Sequence, residues 1–437
     1  MEDSEEIQCD VGIIGSDSVG RNVVLHLNDH QFQVAAMGWG QSITNTLEGA
    51  NVQIATDVSE FMTSLRQPRT VLFFGAGDAS FDVVLGRLLP QLAEGDIVIN
   101  AEASPFKDTA RHSGLLRERG IHFLGLGLAG GAEVMRHGGV VMAGGGSEAI
   151  QRARPLLEAL AVTVRDEPCV IYLETATAAH FVKIMHAAVE LTISQLLNEV
   201  FDLLQRSLLL TDEELHDSSG GWHIGLLNGY LAEVSNGEFS RTETLARRAA
   251  ETAWELGASI PTIEAAAQMQ RVEAAEQRES LQTAPFRQPM GRFGDDPESV
   301  LEEVHQAFQA AVIIAYAQAM TLLDAASKTH GFQFSLHEIS RAWKGCTRFR
   351  ATLLDEITAV LQMTPDLPCL LSDDDLAERV MAFQENLRHA VWRAHELDLD
   401  VPALLASLDY LDSHKAAWLP TNLIQVPRQH AVAAVAR

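Results

Sequence analysis

Three side chains that can carry protons recur at helical spacing inside an apolar stretch: Lys183, His186 and Glu190 in AHFVKIMHAAVEL, Ala179 to Leu191. Spacings of three and four residues put all three on one face of a helix. On a generic surface helix such a stripe is a solvated face. Here Phe181, Val182, Ile184, Met185, Val189 and Leu191 make the remainder apolar all round, which is the pattern of a buried helix. Polar groups on a buried helix need partners or a task.

The elements that must hold this helix fall into two parts. Seven short apolar runs precede it: DVGIIG from Asp10, FQVAAMG from Phe32, NVQIA from Asn51, RTVLFFGAG from Arg69, GDIVIN from Gly95, IHFLGLG from Ile121 and GGVVMAGG from Gly138. Polar, helix-length segments lie between most of them, which predicts a doubly wound α/β sheet. After about Thr177 helical periodicity takes over, broken by a loop around Leu281 to Ser299. The expected fold is an α/β Rossmann-type domain over residues 1–178, a large all-α domain over 179–418, and a short tail over 419–437. Pro420 and Pro427 argue against one continuous helix in that tail.

A chain of 437 residues with 47% hydrophobic content has enough apolar material for two or three cores. Its formal net charge of −27 argues against nucleic acid and anionic membrane surfaces as partners. No apolar run is read as long enough to cross a bilayer, and the acidic start MEDSEEIQCD is unlike a signal peptide. Cys9, Cys169, Cys346 and Cys369 are scattered, as expected of reduced thiols in a cytoplasmic protein. The histidines His223, His330 and His337 lack metal-ligand spacing, so no metal is expected. Trp222, Trp254, Trp343, Trp392 and Trp418 are read as core, and LSDDDLAERV from Leu371 as a helix start.

A glycine turn after the first strand, GSDSVG from Gly15 to Gly20, is the usual place for a dinucleotide pyrophosphate. The outer glycines fit. The middle position, which must be small for close approach, holds Asp17, whose carboxylate would face the pyrophosphate. After the second strand, MGWGQS from Met37 offers neither an acid for a ribose hydroxyl nor an arginine for a 2′-phosphate. Gly15 and Gly20 are therefore equally consistent with a working nucleotide site and with a plain strand-to-helix turn.

In order and spacing, several blocks resemble the 6-phosphogluconate dehydrogenase family: DVGIIGSDSVGRNVVLHLNDHQFQV, GLGLAGGAEVMRHGG from Gly125, AHFVKIMHAAVE, GLLNGYLAEV from Gly225, AWKGC from Ala342 and LPTNLIQVPR from Leu419. The resemblance runs across nearly the whole chain. It implies NADP- or NAD-dependent oxidation of a β-hydroxy acid, such as 6-phosphogluconate or a related sugar acid, then loss of CO2 and protonation of the enediol. This is a step of the pentose phosphate pathway. It also implies a homodimer in which the tail reaches the partner subunit. Lys183 would be the base and Glu190 the acid. Burial would keep the lysine amine and the carboxylic acid neutral near working pH. His186, Gly130, Gly131, Ser104 and Arg428 would meet substrate. Gly15, Val19, Gly20, Gly75, Ala76 and Asn100 would meet the nucleotide.

The chain also departs from that family. Ala187 and Leu191 replace an asparagine and a tyrosine on the catalytic helix, and NAEAS from Asn100 replaces Asp-Gly-Gly-Asn-Ser, leaving Ala103 for the asparagine. Ala129 replaces a serine. The phosphate-gripping Lys-Gly-Thr-Gly-Lys-Trp segment has no counterpart near RTETLARR from Arg241, where Glu243 falls on an expected lysine. A phosphate arginine falls at Gln270, beside Arg271, and a tail histidine at Ala434. Charge-assisted bonds to phosphate are worth roughly 1.5–3 kcal/mol each, so several kcal/mol of grip would be missing unless Arg247, Arg248 or Arg271 compensate. Three functions remain open at this point. They are the family's own reaction, a dehydrogenase of another β-hydroxy acid, and a non-catalytic relative with a binding, assembly or regulatory role.

Overall fold

A computed structural model of the chain describes residues 8–15, 18–38, 47, 52–75, 80–102, 104–208, 239–269, 296–345 and 352–415. The chain divides into two compact units, 1–190 with 223–258 and 319–368, and 191–222 with 259–318 and 369–437.

The first unit is built on an eight-stranded sheet. Its strands are β1 (Val11–Ile14), β2 (Val34–Met37), β3 (Val52–Ile54), β4 (Thr70–Phe73), β5 (Ile97–Asn100), β6 (His122–Ala129), β7 (Val140–Gly145) and β10 (Val170–Leu173), in the order β10-β7-β6-β5-β4-β1-β2-β3. A separate two-stranded ribbon pairs β8 (Thr163–Val164) with β9 (Glu167–Pro168). All seven apolar runs of the sequence are strands. β10 is an addition, and the sheet is mixed because β6 and β7 pair antiparallel.

Helices cover both faces. α1 (Ser18–Asp29) and α6 (Ser147–Ala159) join Val11 and Ile13 in one core. α2 (Val58–Thr63), α3 (Phe81–Leu88) and α4 (Phe106–Arg117) join Ile14 in the other. Alternation along β1 thus sends successive side chains into opposite cores, and burial on both faces explains the continuous apolar pattern of the strands. α5 (Gly131–Met135) follows β6 directly. The chain runs outward through β1, β2 and β3, then crosses back to place β4 on the other side of β1. Such a reversal opens a crevice at the carboxyl ends of β1 and β4.

Helix α7 (Ala176–Leu208) starts in the first unit and continues into the second. Its first turns rest on bare backbone. A β-carbon added to Gly125 would lie 2.4 Å from the Ala176 carbonyl oxygen, and one added to Gly144 would lie 2.1 Å from that of Thr175. Also in the first unit are α8 (Phe239–Leu256), α11 (Leu336–Trp343) and α12 (Thr352–Met363).

The second unit is helical in its described residues: α9 (261–269), the first part of α10 (Pro297–His330), α13 (Asp374–Glu396) and α14 (Pro402–Lys415). Asp373 caps α13 by accepting from the Leu376 amide at 3.1 Å, as the acidic helix start predicted. Inside the unit Gln318 on α10 donates to Thr262 Oγ1 at 2.9 Å and accepts from the Thr262 amide at 3.1 Å.

Two expectations need correction. α10 is long and apolar enough by composition to cross a membrane, although no such run was read in the sequence. Its apolarity is spent in packing: Ala310, Ala311, Ile313, Ile314 and Leu322 are fully buried. The tryptophans are not uniformly core. Trp343 is buried, whereas Trp254 and Trp392 are 82% and 55% exposed. Trp222 and Trp418 lie outside the described residues.

Candidate active site

Between Ala178 and Ile193, α7 is fully buried at every position except Lys183 and Glu190. The polar stripe is therefore not uniformly buried, contrary to the sequence expectation, and full burial is not what would keep Lys183 and Glu190 neutral. His186 is packed away, and the two proton carriers either side of it reach solvent through an otherwise closed surface. They stand seven residues, two helical turns, apart on one face.

His186 sits beside Glu190. Its Nδ1 lies 3.2 Å from Glu190 Oε2, and its ring stands edge-on to Trp343 with centroids 5.2 Å apart. Trp343 ends α11 inside the AWKGC block, so two segments far apart in sequence meet on this helix. Next to it, Lys344 pairs with Asp355 at 2.7 Å, and a β-carbon on Gly345 would press within 2.7 Å of Cys169 Sγ. Cys346 lies outside the described residues.

Lys183 is held against the sheet. A β-carbon on Gly127, the third residue of the glycine run in β6, would lie 2.5 Å from Lys183 Cβ. Only glycine lets the helix approach this closely. At the end of β6, Gly130 and Gly131 both take positive φ, 132° and 68°, and a β-carbon on Gly130 would meet Val134 at 2.5 Å. That loop needs glycine for its shape, whatever it binds. Ala129, where a serine was expected, is buried. Ala187 and Leu191 are buried too, so those departures fall on packing positions.

The loop after β5 closes on itself. Asn100 Oδ1 accepts from the Glu102 amide at 2.9 Å, its Nδ2 donates to Ser104 Oγ at 3.1 Å, and Ser104 Oγ donates to the Glu102 carbonyl at 3.2 Å. Both side chains, read from the sequence as nucleotide and substrate contacts, brace the loop here. The buried ring of His180 joins them: Nε2 lies 3.0 Å from the Asn100 carbonyl and Nδ1 3.1 Å from Thr109 Oγ1. Burial drives its pKa down to about 4, against the Asn100 hydrogen bond that raises it. Sequence reading passed over His180 because one histidine on an apolar helix resembles core. Its position three residues before Lys183 was the available signal.

At the crevice between β1 and β4, three glycines converge. A β-carbon on Gly15 would lie 3.1 Å from Phe74 Cβ and 3.6 Å from both Gly20 Cα and the Gly75 oxygen. Gly75 adopts φ 108°. Gly20 is buried and Val19 half-buried in the first turn of α1. This bare backbone at a strand-order reversal fits a dinucleotide pyrophosphate. Asp17, Trp39, Ala76, Ala103, Gln270, Arg271, Arg428 and Ala434 lie outside the described residues, as does the side chain of Glu243. Among the described residues no three His, Cys, Asp or Glu side chains group to hold a metal.

Known proteins agree with this arrangement. The profile of the NAD binding domain of 6-phosphogluconate dehydrogenase matches residues 10–173, and that of the enzyme's C-terminal domain matches residues 179–430. The chain is 30% identical to a decarboxylating 6-phosphogluconate dehydrogenase of Synechocystis, covering 96% of this chain and 92% of that one. It is 29% identical to the NADP(+)-dependent decarboxylating enzyme of Bacillus subtilis, covering 96% and 94%. Plasmodium falciparum 6-phosphogluconate dehydrogenase, solved apo, with NADP+ and with 6-phosphogluconate, superposes with a TM-score of 0.83 at 25% identity, covering 96% of each chain. With the glycine crevice, the proton-carrying helix and these matches along almost its full length, the chain belongs to the 6-phosphogluconate dehydrogenase family.

Proposed function

We propose that this protein catalyses the NAD(P)-dependent oxidative decarboxylation of a β-hydroxy sugar acid, with 6-phosphogluconate as the first candidate. The observation that carries it is the pair of openings at Lys183 and Glu190 in the otherwise buried 178–193 stretch of α7. A pair of structural residues would have no reason to be the two exceptions. Similarity to decarboxylating enzymes over nearly the full chain favours catalysis over a purely assembly or regulatory role.

Bound at Gly15, Gly20 and Gly75, the nicotinamide nucleotide supplies the hydride acceptor. Lys183 takes the proton from the hydroxyl β to the substrate carboxylate as that carbon is oxidised to a ketone. The β-keto acid then loses CO2; the electrons of the broken C–C bond form the double bond of the enediol as protonated Lys183 returns its proton to the ketone oxygen. Glu190 donates a proton to the enediol carbon while Lys183 takes back the hydroxyl proton, which leaves the ketone product. His186, beside Glu190, orients that carboxyl and packs the helix against Trp343. Gly127 and the Gly130–Gly131 turn keep the sheet close enough for substrate to reach Lys183.

Homodimer assembly, tail contact with the partner and a cytoplasmic location belong to the same reading. The family resemblance supports the first two. The free thiols Cys9, Cys169 and Cys369 support the third.

Titration of the purified protein with NADPH and with NADH, followed by nucleotide fluorescence, tests the reading. Micromolar binding of either names the cofactor. Absence of binding at millimolar nucleotide would overturn the proposal and point to Asp17 as a closed door.

A further inference from the structure

We propose that His180 is a positioning residue for this reaction, tying the helical turn that carries Lys183 to the loop after β5. The inference rests on the role of Lys183 given above.

The contacts between α7 and the sheet fix distance but not register. Gly125, Gly127 and Gly144 bring α7 into close contact with the sheet backbone, which fixes how near the helix stands. Directional hydrogen bonds set register. His180 makes two, to two different elements: the Asn100 carbonyl at the end of β5 and Thr109 on α4.

The bonding pattern also fixes the protonation state. A carbonyl oxygen only accepts, so Nε2 carries the ring proton. Nδ1 is then the lone-pair nitrogen and accepts from the Thr109 hydroxyl. Thr109 Oγ1 also lies 3.1 Å from the Pro105 carbonyl and 3.4 Å from the Ser104 carbonyl, both of which can accept, but a neutral Nδ1 has the Thr109 hydroxyl as its donor. Burial, above all, disfavours a second ring proton, and the nearby Arg248 guanidinium adds to it.

The anchor is rigid. Asn100 bonds to Glu102 and Ser104 in the closed loop described above, so the carbonyl that receives His180 is itself immobilised. Three residues beyond His180, on the same face, stands Lys183. Loss of the tie would let that turn shift, and a shift of about 1 Å at a reacting group can cost on the order of a hundredfold in rate.

The test uses the full-length protein and three variants. His180→Phe removes both bonds, Thr109→Val removes one at nearly constant volume, and His180→Gln keeps a donor near the Nε2 position. The expected result in His180→Phe is a kcat lowered by about tenfold or more. KM for sugar acid and nucleotide should stay within about twofold of the parent. The pH profile of kcat should change. Thr109→Val should fall between, and His180→Gln should recover most of kcat even if its Tm stays low. A purely structural role would lower Tm and leave kcat per folded molecule and the pH profile alone, which would overturn the proposal.

Two readouts do not need turnover. Nitrogen chemical shifts of His180 should report a neutral ring protonated at Nε2, and the opposite tautomer would contradict the assignment. The rate at which an amine acylating reagent labels Lys183, read by peptide mass spectrometry, should change severalfold in Thr109→Val. An unchanged rate would also overturn the proposal. If the parent protein shows no turnover, the catalytic reading has failed, while these two measurements still decide the His180 tie.

Discussion

Gly127 and Lys183 are in direct contact: the base of the lysine side chain occupies the space a β-carbon on residue 127 would fill, 2.5 Å from Lys183 Cβ and 3.3 Å from the Ala179 carbonyl oxygen. The sheet has given up a side chain so that a proton carrier can stand on its backbone.

Gly127→Ala should therefore push α7 off the sheet at Lys183. Overpacking of this kind costs about 1–3 kcal/mol. Gly86 on α3 has nothing within 4 Å of an added β-carbon, so Gly86→Ala should stabilise by about 0.5–1 kcal/mol. Chemical denaturation of the two variants checks the contrast. Equal effects would mean the Gly127 contact relaxes without cost.

Lys183→Met and Glu190→Gln should each lower kcat by roughly 10²–10⁴-fold, the usual worth of a positioned acid or base. Far-ultraviolet circular dichroism and nucleotide affinity should stay at parent values, because both positions touch solvent in a helix held by its other faces. An unchanged rate in Lys183→Met would remove it from the mechanism.

Stability should depend on pH through two buried groups with opposite signs. The His180 pKa is driven down to about 4 by burial. Its contribution is present above the unfolded value near 6.5 and is lost as pH falls from there towards about 4. Glu199 is the reverse case. Burial pushes it up to about 7, against hydrogen bonds from Gln195 and the Ala403 and Leu404 amides. Its contribution is present below the unfolded value near 4.5 and is lost as pH rises through about 7. Each is on the order of 3 kcal/mol at full extent, so between about pH 4.5 and 6.5 they largely cancel. Urea midpoints against pH should be nearly flat for the parent across that window. Glu199→Gln should unmask a fall in stability on acidification, and His180→Gln a fall towards neutral pH. Parallel curves for parent and variants would contradict both.

Gly15→Val should abolish tight nucleotide binding, since its side chain would press on Phe74 and enter the space beside Gly20 and Gly75. Asp17→Ala should strengthen binding by removing a carboxylate from the turn. Isothermal titration with NADPH measures both. Unchanged affinity in Gly15→Val would place the nucleotide elsewhere.

Much of this was legible in the sequence, for reasons tied to particular residues. The seven strand runs stood out because both faces of their sheet are covered, so runs such as VGII and IVIN are apolar without interruption. β10 was missed because VIYL follows the polar β8–β9 ribbon and carries an exposed Tyr172. The spacing of Lys183, His186 and Glu190 gave their common face. It could not give their unequal burial, which depends on Gly127 and Trp343 arriving from distant segments. His180 was invisible for the same reason: its partners Asn100 and Thr109 lie 80 and 71 residues away. The positions where the family's phosphate ligands would fall include Arg247 and Arg248 on α8. Arg247 lies 3.7 Å from Glu251 on its own helix, and Arg248 is half-buried.

The most direct measurement is a mixture of purified protein, 6-phosphogluconate and NADP or NAD, with reduced nucleotide and CO2 followed together. The account predicts equal amounts of both, dependent on Lys183. Reduced nucleotide without CO2, or neither product in a protein that binds the nucleotide, would contradict it.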